Sequence, residues 1–149
     1  MTSGAERGRQ FVDTNLLAYS LDSTAGVKRT RSEALLGELW SRGEGCLSMQ
    51  VLQEFFVTLT RKLRHPLSHS EAAKKVAYFA EWNLHAPSRS DLLSAVDLCN
   101  EFRVSFWDAM ILQSARRMEC RVLWTEDLND GQTYAGVTVR NPFIDLVME

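Results

Sequence analysis

Short apolar runs alternate along the chain with longer stretches in which hydrophobic residues recur every three or four positions. QFV (10–12), GCLS (45–48), LHAP (84–87), RVLW (121–124) and VTVR (137–140) are short, apolar and bounded by polar residues, the pattern of buried strands. Helical spacing predicts helices over 14–19, 27–43, 48–63, 68–82, 89–103 and 105–119. In the third of these, Leu52, Phe55, Phe56, Leu59 and Leu63 make one stripe. Gly43 suits a helix stop, Pro66 ends the stripe, and Ser88 suits a helix cap. Strands alternating with helices predict an α/β fold: a parallel sheet covered on both faces. Ligands of such sheets sit beyond the carboxyl ends of the strands.

Composition narrows the function classes. The 149 residues, 45% hydrophobic, read as one domain over 1–149, with no repeat, low-complexity segment or Pro/Gly-rich linker. Lys and Arg number 17 against 19 Asp and Glu, a net charge of −2, which argues against broad electrostatic adhesion to nucleic acid or membrane. A local basic patch is compatible with that balance, and RKLRH (61–65), Lys74–Lys75 and Arg116–Arg117 are its candidates for phosphate contacts. No apolar stretch reaches the roughly 20 residues that span a bilayer. The polar start, MTSGAERGRQ, carries no apolar signal core, so a cytoplasmic location is expected. Cys46, Cys99 and Cys120 are scattered and odd in number, as expected for reduced, buried thiols.

The chemistry lies in the acids. FVDTNLLAY puts Asp13 where a buried strand ends and a helix begins, and VLWTED likewise puts Asp127 just beyond the end of a strand. Asp108 shares a helical face with Ile111, Leu112 and Ala115, where an unsatisfied carboxylate is costly. Glu54 lies in an early helical turn. Each has a plain alternative: helix capping for Asp13, a capping box from Ser105 for Asp108, a turn for Asp127 and a solvated face for Glu54. As a set, two acids at strand ends and two in early helical turns would repel one another, and a divalent cation relieves that repulsion. Oxygen-only ligands favour Mg²⁺ or Mn²⁺ over zinc. Asp22, Asp91, Asp97 and Asp145 read as surface charges or caps.

These segments resemble the PIN-domain ribonucleases, in particular the VapC-type toxins of toxin–antitoxin pairs. The likeness covers nearly the whole chain: FVDTNLLAY with Asp13, SMQVLQEFF with Glu54, SFWDAMILQSA with Asp108, VLWTEDLNDGQ with Asp127, and GVTVRNPF as a closing strand. The resemblance implies a three-layer sandwich with a central five-stranded parallel sheet, an acidic Mg²⁺ (or Mn²⁺) site, and hydrolysis of RNA phosphodiester bonds. Glu126, Asp127 and Asp130 share one loop, and the family's Thr-x-Asp pattern selects Asp127. Asp13 and Asp108 are then the principal ligands, with Glu54 and Asp127 completing the site and Thr14, Asn15 and Thr125 as donors that orient the acids. The resemblance also implies a homodimer and a small cognate antitoxin protein that blocks the groove.

Rival readings come from other classes. A Mg²⁺-dependent phosphatase for small substrates would share the acids, and a catalytically silent binding domain would use them only as caps. Phosphotransferases with a strand-end Asp nucleophile usually carry a second Asp two residues on, where this chain has Asn15. His65, His69 and His85 lack a visible nucleophile-and-base pattern, which argues against a histidine-based ribonuclease.

Overall fold

A computed structural model describes residues 7–145. The strands are β1 (Gln10–Val12), β2 (Gly45–Ser48), β3 (Asn83–His85), β4 (Val122–Trp124), β5 (Thr133–Tyr134) and β6 (Val137–Arg140). The helices are α1 (Thr14–Leu21), α2 (Val27–Arg42), α3 (Met49–Val57), α4 (His69–Phe79), α5 (Arg89–Phe102) and α6 (Phe106–Arg117). The sheet runs β3-β2-β1-β4-β6-β5 and is parallel except for β5, which pairs antiparallel with β6. It therefore has six strands rather than the expected five. The extra one forms because Ala135 and Gly136, with φ of 50° and 88°, fold the chain back so that Tyr134 faces Val137.

The chain crosses to β2 on one side of β1 and to β4 on the other, so the strand order reverses at β1 and a crevice opens at the carboxyl ends of β1 and β4. The core around the sheet is apolar on every layer: Phe11, Val12, Leu47 and Leu123 from the strands are fully buried, as are Leu16, Leu17, Phe55 and Leu59 from the helices. Gly45 is required by packing, because a Cβ there would run into the indole of Trp82, which caps the end of β2.

Several boundaries differ from the periodic reading for local reasons. The helix expected over 48–63 is α-helical only to Val57 and continues as a π-helical turn, Thr58–Lys62. Thr60 Oγ1 donates back to the Phe56 carbonyl at 2.9 Å, and Leu63 N–H reaches the Thr58 carbonyl at 3.1 Å, one residue further than in an α-helix. The next helix stops at Phe79, which frees Trp82 to turn onto Gly45. The third strand occupies 83–85 rather than 84–87.

Candidate active site

Asp13 ends β1 and caps α1. Its Oδ1 accepts the Thr14 N–H at 2.7 Å, and its Oδ2 accepts the Thr125 hydroxyl at 2.8 Å. The two strand ends are tied directly, since Asp13 N–H donates to the Trp124 carbonyl at 3.0 Å. Capping and groove placement are thus compatible in one carboxylate. Asp13 is only 7% exposed. Burial pushes its carboxyl up to about 7 against the opposing bonds from Thr125 and Thr14, with the charges of Asp127 and Glu54 adding to the rise.

The other three acids line the same groove, of about 720 Å³. Glu54 extends from α3 to accept the Thr14 hydroxyl at 2.8 Å and the Gln50 amide at 3.2 Å, so it is turned to the groove rather than to a solvated face. Asp108 stands in the first turn of α6, where the cap runs one way: Ser105 Oγ accepts the Asp108 N–H at 3.0 Å, and the Asp108 carboxylate lines the groove. Burial raises its carboxyl, Ser105 eases it down, and the charge of Glu54 raises it again. Asp127 follows β4; its N–H donates to Thr125 Oγ1 at 3.1 Å, and its Oδ2 accepts the Asn15 amide at 3.2 Å. Burial and then the charges of Asp108 and Glu126 raise it.

Thr14, Asn15 and Thr125 therefore each hold one acid: Glu54, Asp127 and Asp13 respectively. The neighbouring acids of the 126–130 loop are engaged elsewhere. Glu126 accepts from Tyr19 Oη and from Lys28 Nζ, the latter at 2.8 Å, and Asp130 accepts the Asn141 N–H at 2.8 Å. Of the basic candidates, Lys62 lines the groove. Lys74 and Lys75 border a second cavity between α2 and α4, and Arg116 and Arg117 face Gln113 and Asp91.

Three side chains go beyond the sequence reading. Of the two readings of Asp91, surface charge or cap, the second holds: it completes the capping box of α5, and does so from a buried position, 2% exposed, where it also accepts the Gln113 amide at 2.9 Å. His85 lies between Ser114 Oγ (2.9 Å) and Asp91 Oδ2 (3.3 Å), a serine–histidine–aspartate alignment. Ser114 is 1% exposed and this cluster lies outside the groove, so it ties β3 to α5 and α6 rather than meeting substrate. Trp107, on the groove rim, was missed as well.

The donor set suits a hard divalent cation: four carboxylates from four elements, and Asn15 Oδ1, buried without a hydrogen-bond partner. Among the described residues, no three Asp, Glu, His or Cys side chains close into a ready-made cage. The carboxylates instead stand apart around an open groove, close enough for their charges to raise the carboxyls of Asp13 and Asp127.

Residues 11–132 match the PIN domain family, and the chain belongs to it. Solved structures of similar fold include a toxin–antitoxin complex from Klebsiella pneumoniae, 22% identical, covering 89% of this chain and 97% of that one at a TM-score of 0.66. A sarcin–ricin-loop-cleaving VapC toxin from Mycobacterium tuberculosis is 18% identical over 76% of this chain and 86% of its own, with a TM-score of 0.60. DNA-bound VapBC from Salmonella typhimurium is 15% identical, with 91% and 99% covered and a TM-score of 0.63. No curated protein matches the sequence. Among the described residues, no helix is long and apolar enough to cross a membrane.

Proposed function

We propose that this chain is a divalent-metal-dependent endoribonuclease of the VapC type, the toxin of a toxin–antitoxin pair. The observation that carries the reading is the convergence of Asp13, Glu54, Asp108 and Asp127 on one groove at the reversal point of the sheet, with Asp13 raised to about 7. Structural caps would not need to share a groove or bear each other's charge.

In this reading Asp13 and Asp108 are the principal ligands of Mg²⁺ or Mn²⁺, and Glu54 and Asp127 complete the site. A cation bound there supplies the charge that acidifies an attacking water and offsets the charge developing on the phosphate. Thr125 keeps Asp13 aimed into the groove, while Thr14 and Asn15 fix Glu54 and Asp127. Lys62 offers the substrate backbone a cation at the rim of a negative floor. A recessed groove favours unpaired RNA, whose backbone bends in, over a stiff A-form duplex.

The likeness to toxin–antitoxin assemblies supports a homodimer opposed by a small antitoxin protein. The test is cleavage of unpaired RNA with Mg²⁺ or Mn²⁺, stopped by EDTA and reduced at least about 100-fold in Asp13→Asn and in Asp108→Asn. Cleavage in EDTA, or full activity in Asp13→Asn, overturns the reading.

A further inference from the structure

Trp107 stands on the rim of the carboxylate groove with 63% of its surface exposed, next in the chain to Asp108. The other three tryptophans are covered more: Trp40 is 37% exposed, Trp82 8% and Trp124 3%. An indole left open beside a charged groove forgoes the burial that usually accompanies so large an apolar side chain.

The ring is nevertheless held in place. Phe106 packs against it with ring centroids 5.0 Å apart at 73°, and Gln50 Nε2 donates to the Trp107 carbonyl at 3.3 Å. Gln50 also donates to Glu54, so one side chain fixes the position of the indole's backbone relative to the acids. Val57 and Leu63 add apolar surface to the same groove, and Lys62 adds a cation. The groove thus pairs an anionic floor, suited to a phosphate only through cations, with a flat apolar rim. A partner peptide would fill such a rim with any apolar side chain. A single-stranded nucleic acid needs both features at once, with a phosphate at the floor and a base face one step away along the chain.

We propose that Trp107 is the base-stacking platform of the site, on which one unpaired nucleobase flanking the scissile phosphate lies. This rests on the ribonuclease reading above and deepens it. Stacking on an indole accepts any base, because every base has a π face, so Trp107 selects for an unpaired neighbour rather than for a letter of sequence. A base locked in a duplex cannot offer that face.

The experiment mixes the protein and Mg²⁺ with an unstructured oligoribonucleotide in a stopped-flow fluorimeter and follows cleavage in parallel. Stacking quenches the parent's tryptophan emission before cleavage, and the quench disappears in Trp107→Phe. Trp107→Ala raises KM between about 5-fold and about 150-fold with kcat nearly unchanged, and Trp107→Phe recovers most of the loss. Removing one base beside the cleaved bond reproduces the KM loss in the parent and adds nothing in Trp107→Ala. Quenching without cleavage upholds the platform and sinks the nuclease reading. Cleavage with no quench and a parent-like KM in Trp107→Ala overturns the platform alone, and absence of both quench and cleavage overturns both. A loss confined to binding of a protein inhibitor also overturns it, making Trp107 a protein contact.

Discussion

Lys28 Nζ lies 2.8 Å from Glu126 Oε2 and draws the carboxylate next to Asp127 away from the groove. The same ammonium sits 5.0 Å from the ring centroid of Tyr19 and 5.2 Å from that of Phe143, so it pins the loop after β4 to α1, α2 and the closing segment. Because the pair is partly exposed, its worth to stability is at most about 1 kcal/mol. Glu126 is the chain neighbour of Asp127, so the contact also restrains the backbone from which Asp127 reaches the groove.

Lys28→Met should therefore lower the RNA cleavage rate by about 3- to 30-fold, roughly 0.7–2 kcal/mol of barrier, while melting near the parent temperature. Glu126→Gln should do the same, and the double variant should lose little more than either single one, as expected for partners in one contact. Steady-state kinetics and thermal melts check this; additive losses would show that the two residues act separately.

Asp13 sets a pH dependence of known sign. Its carboxyl is raised in the folded protein to about 7 from an ordinary 3.8, so the folded state binds more protons between those values. The stability it contributes is complete below about pH 4 and lost as pH rises through 7. In EDTA, Asp13→Asn should be more stable than the parent at pH 8, by on the order of 1–3 kcal/mol, and lose that advantage at pH 4. Urea titrations at both pH values read the difference.

Asp91 runs the other way. Burial pushes its carboxyl up, but bonds from the Ser88 backbone and hydroxyl and from Gln113, together with His85, hold it down to about 2. Its contribution is present above pH 4 and lost as pH falls through 2. Asp91→Ala should cost about 2–3 kcal/mol at pH 7, because the Gln113 amide is left buried without its acceptor. Kinetics of the folded variant should be close to the parent's, since this cluster lies outside the groove.

Metal should stabilise the protein by mass action. Mg²⁺ at 100 times its dissociation constant should add about 2.7 kcal/mol, and most of that gain should vanish in Asp13→Asn. Calorimetry with and without EDTA measures both, and an equal response in the two proteins would remove Asp13 from the ligand set.

Much of the sheet was legible because buried parallel strands are short apolar runs and their polar ends are conspicuous: Asp13 after QFV and Asp127 after VLW stand out for that reason. The strand Thr133–Tyr134 was not, since its turn uses Ala135 at positive φ where Asn or Asp would have announced a hairpin. The choice among Glu126, Asp127 and Asp130 depended on the Thr-x-Asp likeness. In space Glu126 and Asp130 are engaged by partners distant in sequence, Lys28 and Asn141, that no local pattern can reveal, while Asp127 lines the groove. Trp107 was hidden because exposure of one indole is decided by what fails to pack over it.

The π-helical turn at Thr58–Lys62 acts as a one-residue gear slip. A residue added to an α-helix rotates everything after it by about 100° about the axis, while the turns before it keep their grip on the core. Here Phe55 and Leu59 stay fully buried and Lys62 comes round to the groove. Deleting one residue from this turn would re-index the helix, sending the ammonium to another bearing and leaving the carboxylates untouched. The carboxylates of the groove and the cation at its rim can thus be adjusted by separate changes, the first by side-chain replacement and the second by chain length alone.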